Sequence, residues 1–133
     1  MNRKMIMVLH ILCPIAIGAL VYYLASPDVL FIQKAKTFID VTDSAFLRLV
    51  RNYLADMMWG YSLVFALFYI IGNTTADLWK VLGIAFPFSA AMEMMQKTSF
   101  IPGTFDVFDI FVEFLAEIIA VSIIYKLYSR EEI

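Results

Sequence analysis

Apolar residues fall into four blocks of near-bilayer length, the first set apart by a long connection and the others by short polar breaks. Met5–Leu24 runs to Ala25-Ser26-Pro27, Leu54–Ile71 to Gly72-Asn73, Leu78–Met95 to a Pro102-Gly103 turn, and Val107–Tyr128 to the polar tail Ser129–Glu132. A helix of about 20 apolar residues crosses the hydrocarbon core of a bilayer. The pattern therefore predicts an all-α fold: one domain over residues 1–133, built as a four-helix transmembrane bundle with spans near 5–24, 54–71, 78–95 and 107–128. Pro87 is expected to break the third span.

The long connection from Ala25 to Tyr53 has its own pattern. Phe46, Leu49, Val50, Tyr53 and Leu54 recur at helical spacing with Arg48, Arg51 and Asn52 opposite, and Thr42, Asp43 or Ser44 is placed to cap the start. This predicts an amphipathic helix lying on the membrane in the first external loop. Val29–Ile32 is a second stretch that can dip into the interface.

The fourth block breaks the apolar rule. Asp106, Asp109, Glu113 and Glu117 are three, four and four residues apart in an otherwise apolar segment. Helical geometry gathers them into an arc of roughly 80° over about 16 Å. Carboxylates in lipid are costly, so this stripe must face protein, water or a cation.

Composition agrees with a membrane setting. The chain is 62% hydrophobic with a mean hydropathy of +0.82, above the roughly 45–50% apolar share of soluble domains. Ten basic and 12 acidic residues give a net charge of −2, so no basic field exists for nucleic acid. The single cysteine, Cys13, cannot close an intrachain disulfide and is expected to pack within the first span. Met5–Leu24 is longer than a signal-peptide core and no small-residue cleavage site follows, so a retained span is expected. Arg3 and Lys4 beside it favour an N-inside topology with both termini cytoplasmic.

That topology brings polar residues to one level. Asp56 opens the second span, Glu93 and Gln96 lie on one face near the outer end of the third, and Asp106 and Asp109 open the fourth, with Glu113 and Glu117 deeper. Arg48, Arg51 and Lys97 are the candidate basic partners, and Lys97 follows Glu93 by four residues. Six acids against three bases leave an excess of negative charge. Protonation, a hydrated vestibule, or a divalent cation such as Mg2+ or Ca2+ with oxygen ligands would relieve it. No other cofactor is expected. His10, on the first span away from the acids, reads as a packing or hydrogen-bonding residue, and zinc sites built on His and Cys are excluded. Nucleotide-binding loops and an activated nucleophile are absent, so a binding protein is expected before an enzyme.

Glu93-Met-Met-Gln96, a short connection and Thr104-Phe-Asp106-Val-Phe-Asp109, with Asp56-Met-Met-Trp-Gly60-Tyr61 earlier, resemble the motifs of the VanZ-like family of membrane proteins over roughly residues 52–124. Met57 and Gly60 stand where that family carries Lys and His. Gly103 stands near its basic residue, and Glu113 and Ala116 stand where it has Asn and Gly. The resemblance implies a protein of the bacterial cytoplasmic membrane and carries over Asp56, Glu93, Gln96, Asp106 and Asp109. The family's namesake is linked to teicoplanin resistance, and a role in glycopeptide or envelope-stress resistance is an expectation that the resemblance does not by itself imply.

The leading expectation is an outward-facing acidic pocket that binds a cationic or amphiphilic molecule, a lipid-linked envelope precursor or a membrane partner. A proton- or cation-coupled transport component using Glu113 and Glu117, and a metal-assisted lipid-phosphate enzyme, are the alternatives.

Overall fold

The computed structural model describes residues 2–25, 45–98 and 106–129, with side chains for 2–21, 53–98 and 106–129. Val29–Ile32, the capping candidates Thr42, Asp43 and Ser44, the Pro102-Gly103 turn and the side chains of Arg48 and Arg51 lie outside this set. The described residues are helical: α1 (Arg3–Ala25), α2 (Ala45–Ile71), α3 (Leu78–Lys97) and α4 (Val107–Ser129), with a 3-10 turn at Thr75–Asp77.

Helix α2 is central and packs against all three others, while α4 also packs on α3. Chain direction follows from the contacts. His10 of α1 meets Tyr61 and Gly18 meets Ala55, so α1 runs antiparallel to α2. Tyr53 meets Asp106, Gly60 meets Glu113 and Phe68 meets Tyr128, so α2 and α4 run parallel. The Arg3 guanidinium carbon sits 4.9 Å above the Tyr128 ring, which brings the start of α1 and the end of α4 to the same end of the bundle.

Among the described residues, three segments are long and apolar enough to cross a membrane: Arg3–Val21, Tyr53–Ile71 and Thr75–Lys97. Helix α4 has the length, but three acids interrupt its apolar run. The packing has the polarity of a membrane protein. Leu12, Ile70, Trp79 and Phe111 face outward, while Ser62, Ser89, Glu93, Glu113 and Glu117 are buried.

Two expectations are corrected. The amphipathic stretch before the second span is not a separate surface helix, because Ala45–Ile71 is continuous. Between Ala45 and Met58 no Gly or Pro provides a break. At about 1.5 Å per residue the helix is roughly 40 Å long, some 10 Å more than a hydrocarbon core. Nor does Pro87 break α3, which runs unbroken around it. Proline is tolerated in apolar helices where neighbouring groups satisfy the freed carbonyl.

The α2–α3 connection is short and held by one carboxylate. Asp77 Oδ2 accepts hydrogen bonds from the backbone N–H of Asn73 and Thr74, at 3.0 and 3.1 Å, and Oδ1 pairs with Lys80 at 2.8 Å. This turn satisfies donors that the start of a helix otherwise leaves open.

Candidate functional site: a carboxylate pocket among three helices

Gly60 sets the geometry of the site. A Cβ there would stand 3.2 Å from the Glu113 carbonyl oxygen and 3.4 Å from its Cα, so α2 and α4 touch backbone to backbone. One turn before Gly60, on nearly the same face of α2, comes Asp56. The close crossing therefore carries Asp56 to Glu113. On the other side, α3 runs antiparallel to α4 and brings Glu93 to the same level. One oxygen from each of Asp56, Glu93 and Glu113 can be chosen so that all three lie within 4.8 Å of one another.

The remaining acids extend this set along the bundle. Asp109 lies near enough for its charge to act on Glu93 and Glu113, and the charges of Asp56 and Asp106 act on it in turn. Asp106 and Asp109 are half-buried at the end remote from the chain termini, Glu93 and Glu113 are buried below them, and Glu117 is wholly enclosed. Glu117 Oε1 accepts a 2.8 Å hydrogen bond from Ser89 Oγ of α3. Beyond Glu117 the interior is apolar: Val64, Phe68, Val81, Ala85, Ala120 and Ile124 form one closed core. Among the described residues the polar tract thus runs from the half-buried Asp106 and Asp109 inward and stops near mid-bundle.

Individual roles separate on inspection. Gln96 Nε2 donates to Glu93 Oε1 at 3.0 Å, as their spacing on one helical face predicts, and leaves Glu93 Oε2 buried without a hydrogen-bond partner. Glu113 Oε2 and Glu117 Oε2 are buried and unpartnered as well. Asp106 is partly committed to structure. Its Oδ1 accepts from the Phe108 N–H at 3.0 Å, capping α4, and its Oδ2 receives the Tyr53 hydroxyl at 3.4 Å. Lys97 is exposed in the last turn of α3.

Sequence reasoning missed Ser89, Tyr53 and Gly60. A serine inside an apolar span was the available signal for Ser89. Gly60 was noticed only as a departure from a motif, yet it makes the crossing. His10 packs and hydrogen-bonds, as expected: Nδ1 lies 2.7 Å from the Tyr61 hydroxyl and its ring stacks on Phe65 at 4.5 Å. Cys13 differs from expectation. It is exposed, beside a groove between α1 and α2 that Leu9, His10, Pro14, Met58 and Tyr61 also line.

Compared with known proteins, the chain matches no family model, no curated protein and no solved structure.

Proposed function

We propose that the chain is a multi-pass membrane protein of the bacterial cytoplasmic membrane whose acidic pocket, open to the outer side, binds cationic groups. Helix α4 serves as the fourth span, with its acids shielded by α2 and α3. The observation that carries this reading is the convergence of Asp56, Glu93 and Glu113 from three helices, below the half-buried Asp109 and above a closed apolar core. Lone carboxylates scattered in lipid would have no such common level. A dead-end acidic cavity concentrates cations from one side. The VanZ-like resemblance supports an envelope role for such a pocket, with an amphiphilic cation or a lipid-linked precursor as its larger ligand.

Titration of dodecyltrimethylammonium into the purified protein in neutral detergent tests the reading. Asp109→Asn removes one charge near the pocket mouth. At about 10 Å and an effective dielectric near 20 this is worth roughly 1.5 kcal/mol, close to tenfold in affinity. Binding indifferent to Asp109→Asn and equal for a neutral amphiphile contradicts the pocket. In cells, unchanged sensitivity to glycopeptides and other envelope stresses on deletion removes the resistance role.

A coupled-transport reading draws on one observation, the unpartnered Glu117 Oε2 one turn deeper than Glu113. It requires the apolar core below Glu117 to open. Cation flux in vesicles that is insensitive to Glu117→Gln counts against it.

A further inference from the structure

Within the pocket, one carboxylate from each of α2, α3 and α4 converges. We infer that Asp56, Glu93 and Glu113 form a binding site for a hard divalent cation of the Mg2+, Ca2+ or Mn2+ class. The inference rests on the cation-pocket reading above and names the ion and its ligands.

Spacing is the first support. Two oxygens on one ion can be no farther apart than twice the metal–oxygen distance, which is about 4.2 Å for Mg2+ and about 4.6–5.2 Å for Ca2+. Three oxygens mutually within 4.8 Å stand within about 2.8 Å of a common centre, so a shift of a few tenths of an ångström brings them to the roughly 2.3–2.6 Å of Ca2+, and a larger one to the roughly 2.0–2.1 Å of Mg2+.

Burial is the second, and it is independent of the clustering. Glu93 and Glu113 are only 4% and 3% exposed, yet each keeps an Oε2 with no hydrogen-bond partner. Buried oxygens without a partner are costly and uncommon. Gln96 fixes the other oxygen of Glu93, which leaves Oε2 as the one available for a ligand. A coordinated cation satisfies both oxygens and offsets the repulsion among the three residues.

Donor chemistry selects the ion. All three ligands are oxygens, the preference of hard cations. The one histidine and the one cysteine belong to α1, with His10 stacked on Phe65 and Cys13 exposed. Neither contributes a soft or imidazole ligand. Asp56 is half-buried, as is Asp109 one turn before Glu113.

The test uses the full chain in neutral detergent after treatment with a chelator. Calorimetric titration with Ca2+, Mg2+ and Mn2+ is expected to show one saturable site per chain. Glu93→Gln, Glu113→Gln and Asp56→Asn are each expected to weaken it by about 100-fold or more, since even second-shell partners of metals are worth 10–100-fold. His10→Phe is expected to leave it unchanged. Electron paramagnetic resonance of Mn2+ on the unmodified protein needs no variant: an ion at the triad is shielded from a water-soluble relaxation agent, and full relaxation overturns the inference. Divalent binding that survives all three substitutions also overturns it. If no divalent ion binds while dodecyltrimethylammonium still binds in an Asp109-dependent manner, the metal site falls and the pocket stands. If neither binds, both fall.

Discussion

Gly60 lies against the backbone of Glu113, with room for a Cβ only 3.2 Å from the Glu113 carbonyl oxygen. This contact between α2 and α4 converts a sequence spacing into a pocket, because the helix that presents Asp56 can approach only where no side chain intervenes. Gly60→Leu is expected to lower stability by about 1–3 kcal/mol through overpacking and to weaken cation binding by separating Asp56 from Glu113. Gly18→Leu meets Met58 Cβ at 3.2 Å on the α1 side of α2. It is expected to cost stability while leaving binding intact. Thermal unfolding and cation titration of the two variants separate these effects.

Ser89 and Glu117 make a hydrogen bond inside the bundle, 2.8 Å long and removed from solvent. Ser89→Ala leaves Glu117 without its partner and is expected to destabilise by about 1–3 kcal/mol. Glu117→Gln keeps an acceptor for Ser89 and removes the buried charge, so its unfolding midpoint is expected at or above that of the parent. A lower midpoint for Glu117→Gln than for Ser89→Ala contradicts this assignment.

Asp106 serves as a cap as well as an acid. Asp106→Ala is expected to cost about 0.5–2 kcal/mol, whereas Asp106→Ser, which retains a capping oxygen, costs less. Calorimetric unfolding of both variants distinguishes the cap from the charge. Equal losses would mean that the carboxylate acts through its charge alone.

His10 and Tyr61 join α1 to α2 at 2.7 Å. A double-mutant cycle with His10→Phe and Tyr61→Phe is expected to give a coupling of about 0.5–1.5 kcal/mol in stability. Cation affinity is expected not to change. A change of tenfold would place this pair in the binding machinery, contrary to the account.

Much of this arrangement was legible before any coordinates. The spacing of Asp109, Glu113 and Glu117, four residues apart in turn, places them on one face; alternating helix direction sets Asp56 and Glu93 level with Asp106 and Asp109, whereas the structure brings them to Glu113, one turn deeper. Glu93 and Gln96 paired as helical neighbours should. Other features were not legible because they depend on pairs of helices. Ser89 becomes a partner for Glu117 only once α3 is docked on α4, and the role of Gly60 exists only at the crossing. The surface helix was misread because amphipathic spacing tells which side of a helix is apolar, not where the helix bends. Continuity through Pro87 has a similar origin, since a lost backbone hydrogen bond weakens a helix without dictating its end.

The central claim is a pocket that opens at one end of the bundle and is closed below Glu117. Cysteine accessibility in sealed vesicles tests it most directly, with Asp109→Cys and Glu117→Cys introduced singly into a Cys13→Ser background and a charged, membrane-impermeant thiol reagent added to either side. The account predicts that Asp109→Cys is modified from the side opposite the chain termini and that Glu117→Cys is not modified from the side of the termini. Modification of Glu117→Cys from the terminal side, or of Asp109→Cys from that side alone, would contradict it.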